Sequence, residues 1–330
     1  MTVAALLHDI GHYPFSHALE EAGFVSHETR GVARLEEGEL RDRLTALGGR
    51  RLIDGVGALM RGQSASPLQG LISGSLDLDK IDYLCRDSRM CGVPYGVIDV
   101  DRLLASLTLV EDGAGGAEVG VHEKGASALE SLLFAKYQMY RNVYWHHAVR
   151  SATCMFKRAA RTAVRQGLVS AEAVAELTDE GMMQVLERSR AGALAAALRA
   201  RRLYKRALDL PATDVSPEPA EWIAEDPDHT EEVEDSLARE AGLEPGELLL
   251  DFPARSDLLG VNLPLRLRDG TVERLTGEGR AGHVGLPQIA SELYQSARRL
   301  RVFVARPIKM STEKVLKLIG GRVDRPTGGP

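Results

Sequence analysis

The stretch ALLHDIGHYPFSHALE, residues 5–20, carries three histidines, an aspartate and a glutamate within sixteen residues. It places an adjacent pair, His8 and Asp9, directly behind an apolar run that predicts a helix closed by Gly11. Neighbouring helical residues point about 100° apart, but at a helix end the geometry is looser. An imidazole and a carboxylate can then converge on one divalent cation. Taken alone, the pair is better explained as a histidine that satisfies backbone carbonyls at the helix end and an aspartate that caps it in solvent.

A second polar cluster lies in LDLDKIDYLCRDS, residues 76–88. On a helix, Asp79 and Asp82 share a face at a spacing of three residues, and Tyr83 and Asp87 share one at a spacing of four. The leucines and the isoleucine between them require packing behind the helix. This combination favours a lined pocket, although a solvated amphipathic face is the simpler interpretation of the cluster by itself.

The composition is that of a globular protein, with 330 residues, 44% hydrophobic residues and a formal net charge of −6. No apolar stretch reaches the ~18 residues of a membrane span, and the first residues lack the basic start of a signal peptide. Three cysteines form neither a metal-binding spacing nor an even set, which predicts reduced thiols in a cytoplasmic protein. The net charge argues against nucleic-acid binding by the whole surface but permits a local basic pocket.

Hydrophobic periodicity is helical from the start of the chain to about residue 210. The longest periodic run, residues 128–167, contains no proline and predicts one or two long helices in a bundle. After Pro211 a proline- and acid-rich stretch is typical of a surface connector, and short β-like runs with one helix follow it. We therefore predict a mainly α fold, with a helical domain over 1–210 and a small α+β region over 211–330.

Four motifs, taken in order, resemble the HD-domain phosphohydrolases. They are HDIGHYPFSH from residue 8, HE from residue 27, DLDKIDYLCRDS from residue 77 and VYWHHAVRSA from residue 143. The resemblance is closest to the deoxynucleoside triphosphate triphosphohydrolases, the dGTPase-like branch, and it runs from residue 3 to about residue 165, with weaker similarity beyond. It implies an HD-domain helical bundle that hydrolyses deoxynucleoside triphosphates to deoxynucleoside and tripolyphosphate.

The resemblance also implies one divalent metal ion, with Mg, Mn, Fe, Ni and Zn all open, held by His8, Asp9 and Asp79. The family's first histidine ligand lies upstream, in a motif like Arg-x-x-His-Ser, and only seven residues precede His8. Because every later motif is intact, we expect this motif to be encoded upstream of Met1. The alternative is a protein that lacks this ligand and its helix, and that binds nucleotide without hydrolysing it.

Four residues match the catalytic positions of the family. His27 matches the acid that protonates the leaving 5′-oxygen, and Glu20 matches the carboxylate that orients it. His12 and His17 match histidines that line the α-phosphate and the attacking water. Each of these two histidines also has a structural interpretation, as a hydrogen-bonding or helix-capping residue.

Five residues match substrate-binding positions of the family. Lys80 is placed for phosphate, and Tyr83 and Asp87 match positions that hold the sugar, with Asp87 accepting from the 3′-hydroxyl. Tyr144 matches a tyrosine under the sugar that disfavours a 2′-hydroxyl. Lys136 stands where the family usually has arginine, which keeps the charge but loses the bidentate fork.

The partners that we expect are the nucleotide substrate, a regulatory nucleotide and a second copy of the chain, without a membrane or nucleic acid. The basic runs FKRAARTAVR and RARRLYKR have alanine and leucine at helical spacing, which favours solvated helix faces. The enzyme alternative is an HD phosphohydrolase on another nucleotide, such as a nucleotidase or a cyclic-dinucleotide phosphodiesterase.

Overall fold

The structure is a computed structural model that describes residues 1–111, 116–215, 220–254, 260–276 and 285–320, except for the side chains of 286–288, 290 and 291. The chain divides into two compact units. The first comprises Met1–His17, Val25–Tyr144 and Asp257–Tyr294, and the second comprises Ala18–Phe24, Trp145–Ser256 and Gln295–Pro330. This division by contacts differs from the boundary near residue 210, and the sequence domains 1–210 and 211–330 stay a prediction.

The first unit is mainly helical. Its helices are α1 (Thr2–Leu7), α2 (His27–Leu35), α3 (Gly38–Met60), α4 (Leu78–Cys91), α5 (Val100–Leu104) and α6 (Ala126–Met139), and α6 is followed directly by a π-helix, Tyr140–Tyr144. The apolar faces of α1, α2 and α3 form one core, whose buried residues are Ala4, Leu35, Leu44, Ile53, Val56, Leu59 and Met60. The periodicity that predicted these helices is therefore the periodicity of the side chains they bury.

The second unit continues with α7 (His147–Arg165), α8 (Ala171–Val174), α9 (Asp179–Glu187), α10 (Gly192–Arg199), α11 (Trp222–Glu225) and α12 (Pro227–Glu240). After α13 (Leu286–Ala297), whose residues divide between the units, α14 (Thr312–Gly320) also belongs to the second unit. The proline-free run 128–167 thus forms two helices, α6 and α7, as one of the two predicted outcomes. None of the described helices is long and apolar enough to cross a membrane.

Two small sheets complete the described residues. The strands are β1 (Leu107–Glu111), β2 (Ala117–His122), β3 (Lys205–Pro211), β4 (Leu248–Asp251), β5 (Leu263–Arg266), β6 (Val272–Leu275) and β7 (Arg299–Val304). The first unit holds the order β1-β2-β5-β6, in which only β2 and β5 run parallel. The second unit holds the antiparallel order β3-β7-β4.

The mainly α fold is confirmed, and the β-like runs and the helix predicted among them are present as β4 to β7 and α13. The prediction of a surface connector after Pro211 and of one helix beyond it is wrong, because α11, α12 and α14 also form there and bury apolar residues such as Ile223 and Leu237. The prediction of helix alone before residue 210 is wrong for β1, β2 and the start of β3. These strands are short, and their pairing decides their conformation. For example, β3 buries Leu208 while pairing with β7.

Candidate metal centre

The first predicted ligand pair lies just beyond α1. This helix ends at Leu7, three residues earlier than predicted, so His8 and Asp9 occupy the turn that follows. The Nδ1 of His8 donates to the carbonyl oxygen of Ala5 at 2.9 Å, which leaves Nε2 as the lone-pair nitrogen. This Nε2 lies 3.1 Å from Oδ1 of Asp9 and 3.8 Å from Oδ1 of Asp79.

The surroundings of His8 Nε2 fit a metal ion. The atom is buried, and no side chain or backbone group in the described part of the chain forms a hydrogen bond with it. Ligand atoms of His8, Asp9 and Asp79 all lie within 4.8 Å of one another. A lone pair facing two carboxylates is stabilised by a shared cation, and the backbone carbonyl that fixes the tautomer is the usual outer partner of a ligating histidine. The structure thus brings the three predicted ligands together, while their role as ligands stays a prediction.

Helix α4 positions Asp79. Its first turn is capped by Asp77, whose side chain accepts from the backbone N–H of Lys80 at 2.9 Å. Ile81 and Leu84 are buried behind the helix, which turns Asp79 toward the imidazole. Burial raises the pKa of the Asp79 carboxyl, and the nearby charge of Asp9 raises it further.

Three imidazoles form a second cluster in the same unit. The ring of His12 stacks on that of His27 with centroids 4.1 Å apart, and His17 approaches both edge-on at 4.8 and 5.0 Å. Burial lowers the pKa of His12, and the proximity of His27 lowers it further. A neutral imidazole can exchange a proton at near-neutral pH, which is the property that the predicted roles require. Glu20 lies in the second unit, half-buried in a short 3₁₀ helix, Glu20–Ala22, and its predicted pairing with His27 stays a prediction.

A close backbone contact holds the segment around Gly11 and His12 against α2. A Cβ atom at Gly11 would lie 2.0 Å from the carbonyl oxygen of His27, so only glycine allows this approach. Arg30, on α2, donates to the carbonyl oxygen of Gly11 at 2.8 Å and places its guanidinium 4.4 Å above the ring of Tyr13. These contacts fix the segment that carries His12 beside the helix that begins at His27.

Tyrosines from α4 and the π-helix form the next part of the site. The hydroxyl of Tyr144 donates to Oδ2 of Asp87 at 2.8 Å, and its ring lies edge-on to Tyr83, with centroids 6.2 Å apart. Tyr140, whose role could not be predicted from the sequence, forms a hydrogen bond with Tyr83 and lies edge-on to Tyr144, with ring centroids 5.1 Å apart. Burial raises the pKa of both Tyr83 and Tyr144, so their hydroxyls remain donors at neutral pH.

A cavity of about 280 Å³ opens beside α4, and its lining includes Lys80, the residue that follows Asp79 in the chain. Its lining consists of two lysines, three leucines and a polar rim: Lys80, Lys136, Leu84, Leu132, Leu133, Gly74, Ser75 and Gly260. The Nζ of Lys80 lies 2.6 Å from Oδ2 of Asp77 and 2.7 Å from the carbonyl oxygen of Gly74. The cavity therefore collects positive charge over an apolar floor, and the carboxylate of Asp77 holds the ammonium group of Lys80.

Comparison with known proteins identifies the family. The HD domain matches residues 1–87, and the HD associated region matches residues 98–276, more than half of the chain. The chain belongs to the HD-domain proteins. The expectation of an HD domain is confirmed, whereas the match does not extend to the dGTPase-like branch.

The regions that match this HD-domain protein make up only part of the length of its relatives. An uncharacterized protein of Methanocaldococcus jannaschii is 36% identical over 216 residues, which are 65% of this chain and 45% of that protein. The uncharacterized protein YwfO of Bacillus subtilis is 36% identical over 151 residues, 45% of this chain and 34% of YwfO. The chain thus spans between a third and a half of the length of these relatives.

Two solved structures share the fold of this HD-domain protein. A phosphohydrolase from Bacteroides thetaiotaomicron superposes with a TM-score of 0.64 at 22% identity, over 92% of this chain and 78% of the other. A hypothetical protein from Aquifex aeolicus superposes with a TM-score of 0.66 at 23% identity, over 96% of this chain and 78% of the other. At this level of identity the likeness shows a shared fold.

Sequence reasoning about the HD domain missed four residues that shape its site. Asp77 carried a signal, because an aspartate directly before a helix is a favoured N-cap. Gly11 was interpreted only as a helix stop, although a glycine between two histidines also fits a close backbone approach. Arg30 and Tyr140 gave no local signal, because their partners lie in other segments of the chain.

Gly11→Ala is expected to destabilise the HD domain by about 1–3 kcal/mol, because the new methyl group overlaps the His27 carbonyl. Thermal unfolding followed by circular dichroism measures the effect. Gly55→Ala is the matched control: Gly55 is exposed on α3, a Cβ there meets nothing within 4 Å, and alanine favours a helix by about 1 kcal/mol. Equal melting temperatures for the two variants would contradict the close contact.

Proposed function

We propose that this HD domain is a metal-dependent phosphohydrolase that converts deoxynucleoside triphosphates to deoxynucleoside and tripolyphosphate. The observation that carries the proposal is the buried lone pair of His8 Nε2, which faces the carboxylates of Asp9 and Asp79. A divalent ion held there supplies a bound water of lowered pKa and a Lewis acid for a phosphoryl oxygen. The structural neighbour from Bacteroides thetaiotaomicron is described as a phosphohydrolase, which agrees with this class of reaction.

The three imidazoles supply the proton chemistry of the proposal. With its pKa lowered, His12 is neutral at pH 7 and can accept a hydrogen bond or a proton at a ring nitrogen. Its ring stacks on His27, the residue that matches the family's acid, and His17 lies within 5.0 Å of that ring. In this proposal His27 delivers the proton to the leaving oxygen, Glu20 orients it, and His12 and His17 hold the water and the phosphate.

The lysine-lined cavity supports a polyphosphate as the substrate. Lys80 follows Asp79 directly in the chain, so a phosphate chain that begins at the metal centre can extend toward the two ammonium groups. Lys80 would exchange Asp77 or the Gly74 carbonyl for a phosphate oxygen, whereas Lys136 offers a single point charge.

The arrangement of Tyr83, Tyr144 and Asp87, here called the tyrosine wall, supports a deoxyribose as the sugar of the substrate. Asp87 accepts from Tyr144 and keeps a second carboxylate oxygen for a 3′-hydroxyl, while the ring of Tyr144 limits the space for a 2′-hydroxyl. Tyr83 completes the wall from α4. We further expect a cytoplasmic homo-oligomer with a regulatory nucleotide site.

Product analysis tests the proposed function. The purified protein is loaded with one divalent metal at a time and incubated with each deoxynucleoside triphosphate, and the products are separated by anion exchange. We expect deoxynucleoside and tripolyphosphate in equal amounts, and no turnover after chelation of the metal. Orthophosphate as the only phosphate product would assign the protein to another class of HD phosphohydrolase, and a metal-loaded protein without turnover would indicate nucleotide binding alone.

A further inference from the structure

The second unit contains a stretch whose charge is opposite to that of the chain. Residues 188–206 carry seven basic side chains and no acidic one, although the chain has a formal net charge of −6. Six of the seven are arginines: Arg188, Arg190, Arg199, Arg201, Arg202 and Arg206, with Lys205. Helix α10 occupies the middle of this stretch, so basic residues stand at both of its ends.

Most of these charges are unpaired. Arg199 is held by Glu180 at 2.7 and 2.9 Å and also pairs with Glu187, and Arg206 pairs with Asp209 at 2.6 Å. The remaining five side chains are exposed and have no ion pair within the part of the chain that the structure describes: Arg188, Arg190, Arg201, Arg202 and Lys205. We call these five residues the α10 surface.

The backbone at Arg201 is unfavourable for arginine. Its φ is 53°, and the N–H groups of Arg201 and Arg202 bond back to Leu198 and Ala197 at 3.0 and 2.8 Å. This is the helix-ending turn in which glycine normally takes the left-handed position, and a residue with a Cβ costs roughly 1 kcal/mol there. Strain of this kind persists where the side chain has a use beyond folding.

The residues around the α10 surface narrow the choice of partner. Apart from Arg199, the exposed positions of α10 are small, at Ala193 and Ala196, whereas a helix that lies on a membrane presents large apolar side chains. Two acidic side chains of α12, Glu234 and Glu231, are buried and already pair with Arg158 and Arg161 of α7, so they are not available to a second copy. A phosphate backbone, by contrast, needs only accessible guanidinium groups with room for close approach.

We propose that the α10 surface binds the phosphodiester backbone of nucleic acid without reading its sequence. The eight residues of α10 separate the two basic clusters by about 12 Å along the helix axis, a span of several phosphates. Exposed arginines bind phosphate bidentately, and the alanines between them let the strand approach. The expectation of no nucleic-acid partner, which rested on the net charge of the whole chain, is revised for this surface.

Fluorescence anisotropy with labelled single-stranded oligothymidine and with a labelled duplex tests the proposal. If the five side chains contact phosphates, raising the salt concentration from about 50 to about 200 mM should weaken binding on the order of 10²-fold. Unlabelled vesicles of anionic lipid should not compete for the protein, and its size in solution without oligonucleotide should not depend on salt. No binding at about 50 mM salt, competition by the vesicles, or dimerisation through this surface at low salt would overturn the proposal.

Arg201→Gly separates binding from folding. Because glycine suits the left-handed position, we expect the same or a higher melting temperature together with severalfold weaker oligonucleotide binding. The double variant with Arg202→Ala should weaken binding about tenfold or more. Lys314→Ala, which also removes one exposed positive charge from the second unit, is the control and should bind like the wild type. Unchanged affinity in the Arg201→Gly variant would refute the α10 surface as the binding site.

Discussion

Asp79→Asn is expected to remove the bound metal ion and to lower kcat/KM for a deoxynucleoside triphosphate by on the order of 10³-fold or more. Oδ1 of Asp79 is one of two carboxylate oxygens that face His8 Nε2, and asparagine has no negative charge to hold a cation there. Elemental analysis of the purified variant gives the metal content, and hydrolysis at saturating metal gives the rate.

Asp82→Asn is the matched control for this change. Asp82 lies on the same helix, is exposed, and pairs with Arg86 at 2.6 Å on the solvent side. We expect its metal content and rate to stay within about twofold of the wild type, because exposed ion pairs contribute little. Full metal content in Asp79→Asn would refute the centre itself. If Asp79→Asn loses the metal ion but the metal-loaded wild type hydrolyses no nucleotide, the metal centre stands and the proposed reaction is refuted.

Arg150→Met is expected to destabilise the second unit by about 3–5 kcal/mol. The guanidinium is buried and bonds to Asp251 at 2.7 and 3.0 Å and to Glu21 at 2.8 and 2.9 Å. The side chain of Asp251 is fully buried, so removal of Arg150 leaves a buried carboxylate whose remaining ion-pair partner among the described residues is Arg301, at 3.2 Å.

Both tryptophans of the chain lie in the second unit, so their fluorescence during urea unfolding measures this effect. Lys314→Met serves as the control, because its pair with Glu240 is exposed and should contribute less than about 1 kcal/mol. Similar unfolding midpoints for the two variants would contradict a structural role for the buried cluster.

The same cluster predicts a pH dependence. Burial alone would raise the pKa of Glu21, but Arg150 and Lys157 lower it from 4.5 to about 2. A depressed pKa in the folded state means that the stabilisation is complete above about pH 4.5 and is lost as the pH falls toward 2. Arg150→Met should therefore show a weaker loss of stability than the wild type across this acid range.

Local patterns explain what could be predicted from the sequence. The apolar run before His8, the cap-and-helix signal of α4 and the proline-free run that became α6 and α7 each depend on neighbours within a few residues. The strands β1, β2 and β3 were missed because a strand of five to seven residues is stabilised by its partner, which a single sequence does not reveal.

The candidate site residues could be predicted from the sequence alone: an adjacent histidine and aspartate behind an apolar helix, and an aspartate at the start of a second helix with tyrosine and aspartate on its following turns. Which of these side chains meet, and what holds them, depends on the packing of segments that are distant in the chain. His8 reaches Asp79 across some seventy residues of chain, His12 stacks on His27 because Gly11 admits a carbonyl, and Arg150 joins partners 101 and 129 residues away. Periodicity and capping act within one or two turns of a helix, whereas a lone pair, a ring or a buried charge is satisfied by the groups that tertiary packing brings beside it.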